Sequence, residues 1–214
     1  MKAVLFDLDG TLADTARDLA RALNRLRGEQ GLPPLPYEQV RPVASHGARG
    51  LIGLGFGLSP EAPDFEPLRL AFLDYYQQDL VADTVLFDGI VEVLHALAAR
   101  GLPWGIVTNK LARFAEPLMA ALELPVAPGV IVSGDTVGVA KPDPRPMLHA
   151  AQVLQVDPAD CLYVGDAERD VEAGRAVGMK TLVALYGYLS ATDQPAAWGA
   201  DGLIAHPQEI LDWL

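Results

Sequence analysis

The second half of this chain alternates short apolar runs with longer amphipathic segments. The runs have the length and composition of buried β-strands and cover residues 103–108, 130–133, 161–165, 180–185 and 202–204. The longer segments have helical spacing and end signals and cover residues 90–100, 111–122, 144–155, 168–177 and 207–213. This alternation predicts an α/β fold with a doubly wound parallel sheet and right-handed crossovers.

A further buried strand is predicted at the start of the chain, where residues 4–11 read V-L-F-D-L-D-G-T. It is followed by a stretch with helical periodicity at 15–28 and 66–79, broken by a Pro-rich segment at 33–36 and a Gly-rich segment at 45–57. We therefore predict a Rossmannoid core of residues 1–14 and 83–214, with an inserted α-helical cap domain at 15–82 and hinges at 12–15 and 83–88.

Composition and charge restrict the class of protein. The chain has 214 residues, of which 50% are hydrophobic, so it can bury a sizeable core. No apolar run approaches about 18 residues and no basic apolar leader opens the chain, so we expect a cytoplasmic protein with no membrane partner. The net charge of −12 argues against nucleic acid as a partner. We expect a monomer or a homodimer.

The two acids that end the first apolar run are the first candidate site. A single residue separates Asp7 from Asp9, so an extended backbone would place both side chains on one face. Two close carboxylates repel each other, and hard oxygen ligands favour Mg²⁺ as the neutralising cation. The alternative is a turn in which both aspartates only cap the following helix.

Three later strands also end in polar residues. Thr108 and Asn109 can bind phosphate oxygens near a helix start, although Asn109 is equally suited to cap that helix. Lys141, held extended by the proline after it, can neutralise a phosphate or remain solvated. Asp166 can complete a Mg²⁺ site, whereas Asp170 either ligates the metal directly or caps a helix.

In this order the motifs D-L-D-G-T, T-N, K-P and G-D-x-x-x-D resemble those of the haloacid dehalogenase-like (HAD) hydrolase superfamily, and the resemblance covers the whole chain. It implies Asp7 as a nucleophile that forms an aspartyl-phosphate and Asp9 as general acid and base. It also implies that Thr108 and Lys141 hold the phosphoryl group, and that Asp7, the main-chain carbonyl of Asp9 and Asp166 hold Mg²⁺. Dehalogenases of this superfamily lack the second acid, so Asp9 favours a phosphate substrate.

The position of the cap resembles the subgroup that contains phosphoglycolate phosphatase and β-phosphoglucomutase. Residues 104–117 and 185–201 are similar to a branch of phosphatases that acts on N-acetylmuramic acid 6-phosphate. The resemblance thus implies a small phosphomonoester as substrate. N-acetylmuramic acid 6-phosphate is the first candidate and 2-phosphoglycolate is the alternative. A mutase would share every core motif, and a non-catalytic binding protein is disfavoured because the acids and the lysine are all present.

Substrate specificity is expected to reside in the cap. His46 and Arg49 lie in its Gly-rich segment, and Arg49 can pair with a substrate carboxylate or remain a surface residue. Both candidate substrates carry such a carboxylate, and Lys110 and Arg113 are possible helpers. Tyr186 and Tyr188 flank Gly187 in a loop that either packs on the core or faces the site.

Overall fold

The computed structural model describes residues 1–214, and its centre is a six-stranded parallel sheet. Its strands are β1 (Ala3–Phe6), β4 (Trp104–Val107), β5 (Val130–Val132), β6 (Cys161–Gly165), β7 (Lys180–Ala184) and β8 (Gly202–Ile204). Their order in the sheet is β5-β4-β1-β6-β7-β8. All five neighbouring pairs are parallel. The predicted α/β fold class is confirmed, with strand ends that differ by a residue or two.

The helices of the second half are α5 (Ile90–Ala99), α6 (Ala112–Ala121), α7 (Arg145–Val153) and α8 (Glu168–Ala176). They cover both faces of the sheet, which explains why β1 is apolar at every position. Val4 and Phe6 belong to a large apolar cluster that includes α5 and α6, whereas Ala3 and Leu5 belong to a smaller cluster with α7 and α8. The segment 207–213, predicted as an α-helix, is instead a 3₁₀ helix (Pro207–Trp213).

Between β1 and α5 the chain forms α1 (Ala16–Glu29), α2 (Tyr37–Val40), a 3₁₀ helix (Arg41–His46), α3 (Gly47–Phe56) and α4 (Phe65–Gln78). We call residues 15–82 the inserted segment. Leu19, Leu23 and Leu26 form the buried face of α1, at the spacing of an amphipathic helix. This face belongs to the same large apolar cluster as the sheet.

One detail of the inserted segment and one of the hinges beside it were not expected from the sequence. The Gly-rich stretch, predicted to break the helices, forms α3. A Cβ at Gly55 would lie 2.7 Å from Leu23 Cδ1, so this glycine permits close packing of α3 on α1. The two predicted hinges contain short strands, β2 (Ala13–Asp14) and β3 (Val85–Leu86), which pair as an antiparallel ribbon. The sequence pattern did not reveal this ribbon because each strand has only two residues.

Candidate active site

Three adjacent central strands deliver polar side chains to one edge of the sheet. Asp7 follows β1, Thr108 follows β4 and Asp166 follows β6, and all three side chains are buried. Because parallel strands end at the same edge, this is where an open α/β sheet places its ligands. Lys141 reaches the same place from the loop after β5 and is also buried.

Lys141 links two of the acids. Its Nζ lies 2.7 Å from Asp170 Oδ1 and 3.0 Å from Asp7 Oδ1, and it also donates to the Val107 carbonyl and the Tyr163 hydroxyl. The Asn109 side chain fixes the lysine backbone, since its amide donates to the Lys141 carbonyl and its oxygen accepts from the Lys141 N–H. Asn109 therefore does not cap a helix with its side chain, and Lys141 is not a solvated lysine.

Asp7, Asp166 and Asp170 form a buried acidic group whose carboxylate oxygens lie within 4.8 Å of one another. Asp166 Oδ2 accepts hydrogen bonds from Ser45 Oγ and the Tyr188 N–H, but its Oδ1 is buried with no partner. An unpaired buried carboxylate oxygen beside two further carboxylates fits a hard cation. This group could therefore bind a divalent metal.

The acids of this group differ in their pKa values. Burial raises the pKa of Asp166 to about 7, and it also raises that of Asp7 despite the opposing charge of Lys141. Burial would raise the pKa of Asp170 too, but Lys141 and Arg169 lower it below its ordinary value. Asp170 Oδ2 also accepts the Ala167 N–H at the start of α8. It therefore caps the helix while lying within reach of a cation.

Asp9 belongs to a second, separate ion pair. Its Oδ1 lies 2.8 Å from Lys110 Nζ and accepts a hydrogen bond from Thr15 Oγ1 at 2.5 Å. Burial alone would lower the pKa of Lys110, but the negative charge of Asp9 has the larger effect and raises that pKa, so the ammonium stays charged. The turn between the two aspartates depends on Gly10, whose φ is +80° and whose Cβ, if present, would collide with the Asp166 carboxylate.

A cavity of about 560 Å³ lies between this edge of the sheet and the inserted segment. Its sheet side contains Asp7, Asp9, Thr108, Asn109 and Lys110. Its opposite side contains His46, Arg49, Arg69, Phe72 and Tyr76, of which the sequence analysis identified only the first two. Arg113 is exposed and lies over the ring of Phe114, a lining residue, without lining the cavity itself, so its role as a helper stays a prediction.

The inserted segment also contacts the acidic group directly. Ser45 Oγ donates to Asp166 Oδ2 at 2.7 Å, and the Ser45 carbonyl accepts from Arg169 Nη2 at 2.8 Å. Arg41 donates to the carbonyls of Tyr186 and Gly187. Of the two alternatives for the tyrosine loop, the side chains follow the first: Tyr186 and Tyr188 pack on the core against Phe87, and only the Tyr188 N–H reaches the acidic group, at Asp166. Sequence reasoning missed Ser45 and Arg169 because nothing in their local pattern distinguishes them from surface residues.

Comparisons with known proteins agree with this geometry. A family model described as haloacid dehalogenase-like hydrolase matches residues 1–178. The N-acetylmuramic acid 6-phosphate phosphatase of Pseudomonas aeruginosa is 47% identical over 100% of this chain and 95% of its own length. The phosphoglycolate phosphatase of Xanthomonas campestris is 41% identical over 99% and 95% of the two chains.

Solved structures agree as well. The crystal structure of a predicted phosphoglycolate phosphatase from Haemophilus somnus has a TM-score of 0.87 and 25% identity, and the match covers 100% of this chain and 97% of that one. No helix of the present chain combines the length and the apolar character needed to cross a membrane. The family model spans most of the chain, and the two relatives, both named phosphatases, match it over 95% of their length. The chain therefore belongs to the haloacid dehalogenase-like hydrolase family and, within it, to the phosphoric monoester hydrolases.

Proposed function

We propose that this protein is a Mg²⁺-dependent phosphatase that hydrolyses N-acetylmuramic acid 6-phosphate through an aspartyl-phosphate intermediate. One observation carries the chemistry: two carboxylates with different partners, Asp7 on Lys141 and Asp9 on Lys110, line the same cavity. A nucleophile and a proton-transfer group need such separate environments.

Asp7 is the proposed nucleophile. Its Oδ1 already accepts the Leu8 N–H and faces Lys141, which fixes the carboxylate plane. A carboxylate oxygen attacks phosphorus, the bond from phosphorus to the substrate oxygen breaks, and an acyl phosphate forms on Asp7. Lys141 offsets negative charge, and the Thr108 hydroxyl, which accepts from the Lys110 N–H, keeps its own hydrogen for a phosphoryl oxygen. Asn109 contributes by holding the Lys141 backbone.

Asp9 is the proposed general acid and base. The step requires Asp9 to carry a proton on Oδ2, the oxygen that does not face Lys110: it gives this proton to the departing alkoxide, and the resulting carboxylate then takes a proton from the water that attacks the acyl phosphate. This second attack releases inorganic phosphate and regenerates Asp7. Thr15 and Lys110 hold Asp9 through one oxygen, which leaves the other for proton transfer.

Asp7, the Asp9 main-chain carbonyl and Asp166 are the proposed ligands of Mg²⁺, with Asp170 as a neighbour that holds Lys141. The unpartnered Asp166 Oδ1 supports this assignment. When bound, the cation supplies positive charge against the phosphoryl oxygens and favours the ionised form of Asp7.

The inserted segment, residues 15–82, is the proposed cap domain, with residues 1–14 and 83–214 as the core. His46 and Arg49 lie on the cap side of the cavity, and the exposed Arg49 has no salt-bridge partner, so its charge is available to a substrate carboxylate. A cavity of about 560 Å³ is far larger than 2-phosphoglycolate needs and suits an amino-sugar phosphate. The 47% identity to the amino-sugar phosphatase supports the same choice.

The function is tested by phosphate release from N-acetylmuramic acid 6-phosphate and from 2-phosphoglycolate, each with Mg²⁺ and with EDTA. We expect the higher kcat/KM for the amino sugar, loss of activity in EDTA, and at least about a thousandfold loss in Asp7→Asn. Faster release from 2-phosphoglycolate would contradict the substrate. Isomerisation of a sugar phosphate without phosphate release would indicate a mutase.

Arg49 is tested separately with Arg113→Ala as the matched control. Arg49→Ala should raise KM for N-acetylmuramic acid 6-phosphate by about tenfold and leave p-nitrophenyl phosphate hydrolysis unchanged, because only the former carries a carboxylate. Arg113→Ala removes an arginine outside the cavity and should change neither. An equal effect of the two substitutions would show that only the overall charge matters.

A further inference from the structure

One face of α4 lines the cavity, and it carries a single charged residue. Phe72, Leu73 and Tyr76 line the cavity from this helix, and Arg69 lines it one turn earlier. Residues at these spacings share one face of a helix. The Arg69 side chain is 26% exposed, so it is accessible from the cavity. The proposed chemistry does not use this arginine.

Glu66 holds Arg69 through part of its guanidinium group. Arg69 Nε and Nη2 donate to the two Glu66 carboxylate oxygens at 2.7 and 2.6 Å, and these bonds leave the Nη1 hydrogens without an acceptor in the protein. Glu66 itself is exposed and does not line the cavity. A bidentate pair fixes the plane of the guanidinium group, so the remaining N–H donors have a fixed direction. Arg69 is therefore a preorganised donor at the cavity wall.

Charge distinguishes Arg69 from the other arginine on this side of the cavity. Glu66 neutralises Arg69, and its carboxylate would repel a second carboxylate brought to the same place. The pKa of Glu66 is lowered chiefly by its hydrogen bonds from Arg69 and also by the charge of Arg49, so the two arginines are neighbours. Arg49 is unpaired and suits a carboxylate, whereas the neutral pair suits an uncharged oxygen.

Arg69 lies at the opposite end of the α4 face from the reacting groups. Tyr76, at the near end, contacts Lys110, whose Nζ lies 2.8 Å from Asp9. Arg69 precedes Tyr76 by about two turns, or about 10 Å along the helix, and helical side chains point towards the N-terminus. A substrate held at Asp9 therefore reaches Arg69 only with atoms several bonds from phosphorus. A two-carbon phosphomonoester has no such atoms, whereas a substituted hexose 6-phosphate has them.

We propose that Arg69 binds an uncharged carbonyl oxygen on the part of the substrate farthest from the phosphate, and that Glu66 is a positioning residue that keeps this site neutral. The ligand class is an amide, such as the acetamido group of the proposed amino-sugar substrate. The inference rests on the proposed function and deepens it, because Arg69 recognises a different group of the substrate from the carboxylate assigned to Arg49.

The test compares two substrates that differ only in this group. They are N-acetylmuramic acid 6-phosphate and the 3-O-lactyl ether of glucose 6-phosphate, in which a hydroxyl group replaces the acetamido group. We expect the wild type to have about a tenfold higher kcat/KM for the acetamido compound, and Arg69→Met to remove this preference, because one hydrogen bond is lost. Glu66→Gln should reduce the preference without removing it. Arg145→Met is the matched control, since Arg145 donates through Nε and Nη2 to Asp143 in the same way but does not line the cavity.

The ratio of the two kcat/KM values is independent of the folded fraction, so a general loss of structure does not imitate the expected result. No preference in the wild type, or a preference that survives in Arg69→Met, would overturn the inference and leave the proposed function in place. An unchanged preference in Glu66→Gln would overturn the positioning role of Glu66. If the wild type hydrolyses 2-phosphoglycolate but neither lactyl ether, the proposed substrate fails and the inference fails with it.

Discussion

Two neighbouring buried carboxylates should affect stability with opposite signs when no metal is bound. Asp166 and Asp170 have oxygens within 4.8 Å of each other, yet the pKa of Asp166 is raised and that of Asp170 is lowered. Asp166 Oδ1 has no partner, whereas Asp170 Oδ1 faces Lys141. We predict that Asp166→Asn stabilises the metal-free protein at pH 8 and that Asp170→Asn destabilises it.

The magnitude for Asp166 follows from its pKa. A raised pKa in the folded state contributes stability that is complete below the unfolded pKa and is lost as pH rises through the folded pKa. For Asp166 these values are 3.8 and about 7. Each pKa unit is worth 1.36 kcal/mol, so ionising Asp166 costs the fold up to about 4 kcal/mol above pH 7. Asparagine has no such cost, so its advantage should be near zero at pH 4 and grow to that limit at pH 8.

For Asp170 the lowered pKa has the reverse consequence, because its ionised form stabilises the fold and that contribution is lost as pH falls. Removing one partner of a buried ion pair costs about 3–5 kcal/mol, and Asp170→Asn should cost about this much at pH 8. The two isosteric substitutions, a few ångströms apart, thus serve as controls for each other.

The assay is urea unfolding in EDTA at pH 4, 6 and 8, followed by the fluorescence of the buried Trp104. Adding Mg²⁺ should stabilise the wild type and leave Asp166→Asn unchanged, because that variant lacks a proposed ligand. If Asp166→Asn destabilises the metal-free protein as much as Asp170→Asn does, or if its effect is independent of pH, the reasoning is refuted.

Three further substitutions test the surroundings of the acids. Gly10→Ala should lower the free energy of unfolding in urea by several kcal/mol and abolish stabilisation by Mg²⁺, because its Cβ would collide with the Asp166 carboxylate. Gly101→Ala is the control, since Gly101 also has a positive φ but its Cβ would meet no atom within 4 Å, and it should cost only about 1–2 kcal/mol. Ser45→Ala should weaken the apparent Mg²⁺ affinity about tenfold in phosphate-release assays. An unchanged affinity would show that the hydrogen bond from Ser45 to Asp166 does not contribute to metal binding. Lys141→Met should lower the free energy of unfolding by about 3–5 kcal/mol, because it leaves two carboxylates buried without their cation, and a neutral effect would contradict that account.

The sequence alone predicts those site residues that directly follow a buried strand. Asp7, Thr108 and Asp166 each follow a buried run, and parallel strands must end at one edge, so their meeting could be predicted without coordinates. Lys141 could be predicted only as a loop residue near that edge. That it is buried against Asp7 and Asp170 depends on the path of the loop, which no local pattern encodes.

The cap side of the cavity was harder to predict. The glycines of 45–57 indicate a break by propensity, but tertiary packing outweighs propensity where Gly55 lies against Leu23. Tyr76 has the spacing of an ordinary core residue on α4, and only its place in the cavity wall, beside Lys110, distinguishes it. That place depends on how α4 packs across the sheet edge, which no local pattern encodes.

The Ser45 hydroxyl connects two equilibria that would otherwise be independent. Ser45 belongs to the inserted segment and donates to Asp166, so moving that segment away from the core changes the ligand set that a cation meets. Thermodynamic linkage makes this reciprocal: if the closed arrangement binds the cation more tightly by some factor, saturation with the cation raises the ratio of closed to open molecules by the same factor. The concentration of Mg²⁺ would then influence the fraction of molecules in which the cavity is closed over its contents, as well as bond cleavage itself.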